Sequence, residues 1–160
     1  MARSKTFLKI SRRITTTTFT EPPGRNLDEE GFRRFRVLFA RLNVRDRFHN
    51  KAVQFSPRPE ATIVTTAWIL TEVADGLADT RSRKAFVNLL EILQTAPDVE
   101  IIAPSPQLFE RGIRLYADRP DKDWSLTDCI SFVVMEENGI SEALTADRHF
   151  EQAGFRMLLA

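Results

Sequence analysis

Cysteine and histidine are scarce in this sequence of 160 residues, which contains only Cys129, His49 and His149. A single cysteine cannot form an internal disulfide bond, and no group of Cys and His residues has the spacing of a zinc site. No apolar run reaches the about 18 residues of a membrane span. The N-terminus also lacks the charged start, apolar stretch and cleavage site of a secretory signal. These absences argue against secretion and membrane insertion, and we expect a cytoplasmic protein with no membrane contact.

The composition is that of one globular domain. Hydrophobic residues make up 42% of the chain and charged residues 28%, with twelve Phe and two Trp among the apolar residues. Ordinary domains contain about 100 to 200 residues, so this length accommodates one hydrophobic core rather than two.

The net charge of +1 hides an uneven distribution of charge. Residues 1–60 carry 14 Lys and Arg against 6 Asp and Glu, whereas residues 61–160 carry 9 against 16. A basic end beside an acidic body indicates that a polyanion contacts one part of the protein. A basic tail without a functional role explains the same pattern. We expect residues 1–26 to be an irregular basic N-terminal extension and residues 27–160 to form the folded domain.

Short apolar runs alternate with segments of helical periodicity along most of the folded part. This alternation predicts an α/β fold with a parallel sheet covered on both faces. The predicted strands lie near residues 62–65, 99–102 and 143–145, and the clearest predicted helices span residues 27–42, 83–94, 105–118 and 125–138.

Three acidic residues stand next to predicted strand ends or helix starts, namely Glu72, Asp128 and Asp147. In a parallel sheet, ligands bind outside the carboxyl ends of the strands, so these acids could converge on one edge. Carboxylates held close together repel one another unless a cation or a shifted pKa relieves them, and hard divalent cations prefer carboxylate oxygens. A cluster of these acids therefore indicates a metal site.

Each acid also has an ordinary structural explanation. Glu72 shares a helical face with Asp75 and Asp79, which is typical of a solvated surface. Asp128 completes a Ser-x-x-Asp pattern that resembles a capping box, and Asp147 follows a strand where aspartate often stabilises a turn. Spacing alone leaves both explanations open for all three acids.

Three segments resemble conserved parts of the PIN domains of VapC-type toxins, in their order and spacing. They are residues 68–72 (WILTE), 124–132 (WSLTDCISF) and 143–150 (ALTADRHF). The resemblance extends from about Leu38 to the C-terminus. It implies a three-layer α/β/α sandwich with a central parallel sheet and a metal-dependent endoribonuclease that cleaves single-stranded RNA. It further implies the toxin role in a toxin-antitoxin pair, a cognate antitoxin as protein partner, and a homodimer.

The same resemblance assigns roles to individual residues. Glu72, Asp128 and Asp147 match three family acids that hold Mg²⁺ or Mn²⁺, which would activate a water molecule as the nucleophile. Cys129 has apolar neighbours and is interpreted as a core residue. His149 is interpreted as a hydrogen-bonded structural histidine near the site.

The N-terminal part departs from the family pattern, in which a first strand ends in an aspartate. Counting back from Leu38 places Arg34 close to the position of that acid, and residues 1–36 contain no convincing β-branched strand. We therefore expect a degenerate or missing first strand and a metal site that lacks one ligand. Two functions remain open: an impaired metal-dependent endoribonuclease, or a catalytically inactive PIN fold that binds an antitoxin or RNA.

Overall fold

A computed structural model describes residues 5–9 and 62–159. It contains five strands and five helices in these ranges. The strands are β1 (Lys5–Leu8), β2 (Thr62–Thr66), β3 (Val99–Ile102), β4 (Glu142–Leu144) and β5 (Arg156–Met157). The helices are α1 (Ala67–Gly76), α2 (Arg83–Thr95), α3 (Pro106–Asp118), α4 (Leu126–Glu137) and α5 (Arg148–Gln152).

The five strands form one parallel sheet in the order β3-β2-β1-β4-β5. Strand β1 is central: Phe7 is opposite Val64 of β2 on one side and Ala143 of β4 on the other. Phe7 and Leu8 are completely buried. The strand order reverses at β1, which is where α/β proteins of this type form a crevice at the carboxyl edge of the sheet.

The helices cover both faces of this sheet. Crossovers between parallel strands are right-handed, so the connection that runs from β2 outward to β3 lies on one face. The connections that run in the opposite direction lie on the other face. Helices α1 and α2 therefore form one outer layer, and α3, α4 and α5 form the other. The predicted three-layer α/β/α sandwich is confirmed, and no helix of the described ranges is long and apolar enough to cross a membrane.

Helix α4 lies at the centre of its layer. All eight residues from Asp128 to Met135 are buried, as expected for a helix covered on several sides. An aromatic cluster anchors it, because the ring of Phe132 makes edge-on contacts at 4.9 Å with both Trp124 and Phe150. These contacts connect α4 to Trp124 in the segment before it and to Phe150 of α5.

The structure differs from the sequence-based prediction at the start of the chain. Residues 5–8 belong to the central strand rather than to an irregular extension, and the first strand is neither missing nor degenerate in its pairing. The strand has only four residues and no β-branched run, and its conformation depends on burial between two neighbouring strands. The rest of residues 1–26, Arg34 and the predicted helix at 27–42 lie outside the described residues.

The other predicted elements agree closely with the structure. The strands predicted at 62–65, 99–102 and 143–145 correspond to β2, β3 and β4, and each predicted helix after residue 82 corresponds to α2, α3 or α4. Helix α4 begins with a capping box and is followed by Gly139, whose φ of 62° is in the left-handed region. Cys129 is completely buried, as predicted for a core residue.

Candidate functional site

The carboxyl edge of the sheet brings together residues from four separate segments. Lys9 directly follows β1, Glu72 lies on α1 just after β2, and Asp147 is the N-cap residue of α5 just after β4. Asp128 lies in the first turn of α4. The three acids predicted from the sequence thus lie around one edge, and Lys9 lies among them.

The ammonium group of Lys9 bridges two of the acids. Its Nζ lies 2.8 Å from Oδ1 of Asp128 and 3.2 Å from Oε2 of Glu72. The exposed fraction of the side chain is 5% for Lys9, 11% for Glu72 and 4% for Asp128. The hydroxyl of Thr65 donates a hydrogen bond to the Leu8 carbonyl oxygen at 3.2 Å, which fixes the end of β1 directly before Lys9. The result is a buried ion triad, which we call the Lys9 triad: Glu72, Lys9 and Asp128.

Glu72 therefore does not belong to a solvated helical face. Asp75 and Asp79, which share its helical face in the sequence pattern, are exposed to solvent. Asp79 accepts hydrogen bonds from the backbone N–H groups of Arg81 and Ser82 in a local turn. The side chain of Glu72 instead lies toward the carboxyl edge, where Lys9 neutralises it.

Asp128 caps its own helix and also takes part in the triad. Its Oδ2 accepts a hydrogen bond from the backbone N–H of Ser125 at 2.9 Å, while its own N–H donates to Ser125 Oγ at 3.1 Å. Burial raises the pKa of the Asp128 carboxyl, but the Lys9 ammonium and the hydrogen bonds with Ser125 outweigh burial, so the net pKa lies below the ordinary value. Asp128 is therefore ionised at neutral pH.

Asp147 reaches this cluster through His149. Oδ1 of Asp147 accepts a hydrogen bond from the backbone N–H of His149 at 3.1 Å and lies 3.4 Å from Nδ1 of the same residue. His149 Nδ1 lies 3.3 Å from Oδ2 of Asp128, within hydrogen-bonding distance. Asp128 forms the capping box that its sequence pattern predicts. Asp147 makes a local hydrogen bond after the strand, as expected for a turn, and is also the N-cap of α5. Both carboxylates lie near His149 Nδ1.

Carboxylate and imidazole atoms of Asp128, Asp147 and His149 lie within 4.8 Å of one another, a spacing that a metal ion could bridge. Lys9 opposes a divalent ion at Asp128, however, because its ammonium already contacts this carboxylate and that of Glu72. At an effective dielectric constant of about 20, an ammonium about 4 Å from a divalent ion opposes binding by on the order of 8 kcal/mol. With Lys9 in this position, the site residues do not fit a divalent ion held by Glu72 and Asp128.

Sequence reasoning did not find Lys9, although a signal was present. Phe7 and Leu8 are two consecutive apolar residues followed by the charged Lys9, which is a weak signal of a short buried strand. The predicted cation near the site, Arg34, lies outside the described residues. The sequence placed Arg34 near the end of the first strand, whereas in the structure Lys9 follows β1.

Comparison with known proteins identifies the family of this chain. The fold is similar to that of VapC20 from Mycobacterium tuberculosis, described as a Sarcin-Ricin loop cleaving toxin, with 24% identity and a TM-score of 0.61. That match covers 77% of this chain and 92% of VapC20. No curated protein matches the sequence. The PIN domain family profile matches residues 36–156, which is most of the chain. The chain therefore belongs to the PIN domain family.

Proposed function

We propose that this protein is the toxin-type member of a toxin-antitoxin pair that binds single-stranded RNA and whose hydrolytic activity is suppressed. Membership of the PIN family and the fold shared with VapC20, described as a Sarcin-Ricin loop cleaving toxin, support a nuclease-type toxin. The main support for suppressed hydrolysis is the contact of Lys9 Nζ with Asp128 at 2.8 Å and with Glu72 at 3.2 Å.

The Lys9 triad opposes hydrolysis in two ways. The charges of Glu72 and Asp128, which would otherwise attract a metal ion, are compensated by a cation that cannot diffuse away. Asp128 is also a poor general base, because its pKa lies below the ordinary value and an efficient catalytic base has a pKa near the working pH. The remaining acid, Asp147, is only half-buried and is engaged with the start of α5.

RNA binding is supported by charge rather than by the acidic residues. Arg148 is exposed and directly follows Asp147, so a phosphate at the carboxyl edge would lie within reach of its guanidinium. The excess of basic residues among residues 1–60 supplies further attraction for a polyanion. Base stacking and phosphate contacts are the usual means of holding single-stranded RNA.

The second part of the proposal concerns a protein partner. Toxins of this kind act in the cytoplasm and are neutralised by a cognate antitoxin, so we propose an antitoxin as the partner of this chain. An inactive PIN fold can still bind that antitoxin, because binding needs the folded surface and not the hydrolytic centre.

The test combines RNA binding with RNA cleavage. Purified protein is mixed with a fluorescent single-stranded RNA pool in Mg²⁺, Mn²⁺ or EDTA, beside an Asp147→Asn variant that keeps the shape of the side chain and removes its charge. We expect RNA binding in all conditions and no cleavage above that of Asp147→Asn.

Two results would contradict this proposal. Cleavage in Mn²⁺ that is abolished both by EDTA and by Asp147→Asn would identify an active metal-dependent endoribonuclease. Absence of RNA binding in every condition would remove RNA as the ligand and leave only the antitoxin as a partner.

A further inference from the structure

Lys9 connects elements from both outer layers of the sandwich. It follows the central strand β1, Glu72 belongs to α1 on one face, and Asp128 belongs to α4 on the other face. A divalent ion held by Glu72 and Asp128 would join the same two helices. The lysine is attached to the sheet by its backbone, so its charge is present at any concentration of free metal.

Two nearly buried carboxylates cannot remain ionised near each other without a compensating cation. In the described residues, Lys9 is the cation within ion-pair distance of both Glu72 and Asp128. Asp128 further accepts a hydrogen bond from the backbone of Ser125 and lies beside His149. The cluster therefore needs no additional cation to be stable in the fold.

We propose that Lys9 takes the place of a divalent metal ion between Glu72 and Asp128, so that the acidic centre formed by these two residues is stable without bound metal. This inference deepens the proposed function, since it names the cause of the suppressed hydrolysis. It has a direct consequence: removal of the Lys9 charge converts the centre into a divalent-cation site. The fold then depends on metal where the unaltered protein does not.

The experiment measures metal binding and thermal unfolding without RNA. Isothermal titration with Mn²⁺ and thermal unfolding in Mn²⁺ or EDTA are performed on the full chain and on Lys9→Met, which keeps most of the length of the side chain and removes its charge. The matched control is Lys5→Met, because Lys5 lies on the same strand and pairs with Glu100 at 3.2 Å on a more exposed surface.

We expect the unaltered chain and Lys5→Met to bind no Mn²⁺ and to unfold at the same temperature in Mn²⁺ and EDTA. Lys9→Met unfolds at a lower temperature in EDTA and binds Mn²⁺. At a Mn²⁺ concentration about 100 times Kd, its Tm rises by about 5 to 10 °C. A Lys9→Met/Glu72→Gln variant loses most of this response, because one of the two carboxylates is gone.

Two outcomes would overturn the inference: stoichiometric binding of Mn²⁺ by the unaltered chain, or a folded Lys9→Met variant that binds none. If Lys9→Met fails to fold in both conditions, Lys9→Gln decides in its place, since its amide keeps two N–H donors for the carboxylates. Because these measurements contain no RNA, their failure is distinguishable from failure of the proposed RNA binding.

Discussion

Lys9 Nζ and Asp128 Oδ1 lie 2.8 Å apart, with both side chains almost completely buried. This contact joins the end of the central strand to the first turn of the most buried helix. It also gives Asp128 two roles, because the same carboxylate caps α4 through Ser125. Asp128 therefore couples the stability of the fold to the balance of charges around Lys9.

Replacement of Asp128 tests this coupling. Asp128→Ala removes the capping box and leaves Lys9 with Glu72 as its described acidic partner. Breaking a buried ion pair costs about 3 to 5 kcal/mol. Ser125→Ala, which removes the side-chain acceptor of the cap and leaves the ion pair, costs about 1 kcal/mol. Urea unfolding of both variants measures the difference. Equal losses of unfolding free energy in the two variants would show that the ion pair adds no stability beyond the cap.

The lowered pKa of Asp128 predicts the direction of a pH effect on stability. The folded-state pKa lies below that of the unfolded chain, so ionised Asp128 contributes stability above the unfolded pKa. This contribution is complete well above the unfolded-state pKa of about 3.9, and it is lost as the pH falls through the lower folded-state pKa.

The measurement is urea unfolding across acidic pH for the unaltered chain and for Asp128→Asn. We expect the free energy of unfolding of the unaltered chain to fall more steeply in acid than that of the variant. The two curves should converge at the lowest pH, where Asp128 is protonated. Parallel curves would show that Asp128 titrates with the same pKa in the folded and unfolded states.

Helix α3 lies close to Ile130 of α4 at Gly112, which predicts a steric effect of substitution. A Cβ atom at this position would lie 2.3 Å from Cγ1 of Ile130 and 3.4 Å from its Cα. The backbone of α4 cannot retreat easily, since α4 is packed against the sheet and the aromatic cluster. Gly112→Ala should therefore destabilise the protein by about 1 to 3 kcal/mol, as overpacked cores do.

Ile130→Ala provides the test of that explanation. It removes the atom that the new Cβ would meet, so the double variant should lose less stability than the sum of the two single variants. Thermal or urea unfolding of the four proteins measures this coupling. Additive losses would indicate that the space at Gly112 is not limited by Ile130.

The sequence was sufficient to predict most of the fold after residue 62. Strands β2 and β3 have clear apolar runs, and α4 has both a capping motif and a Gly stop, so local signals agree with the final packing. Strand β1 was missed because its local signal, two apolar residues before Lys9, is too short to distinguish a strand. Phe7 and Leu8 are held in a strand by their burial between β2 and β4, which is a property of the whole sheet.

The site was only partly predictable, for a different reason. The sequence identified Glu72, Asp128 and Asp147 as candidates, and the structure shows the surroundings of each, but their roles as metal ligands or catalytic residues stay a prediction. A charge far away in sequence decided the electrostatics of the centre. Lys9 is 63 residues from Glu72 and 119 residues from Asp128, so no local pattern relates them.

Replacement of Lys9 by an acid predicts a gain of function. Lys9→Asp places a carboxylate after the first strand, as in the family pattern, and removes the ammonium that opposes a divalent ion. We expect Mn²⁺-dependent cleavage of single-stranded RNA by this variant where the unaltered chain shows none. The Lys9→Asp/Asp147→Asn double variant should lose the gained cleavage, and EDTA should abolish it. Cleavage that survives EDTA would come from a contaminating nuclease, whereas a folded, Mn²⁺-binding Lys9→Asp variant without cleavage would show that this chain lacks more than one part of the hydrolytic centre.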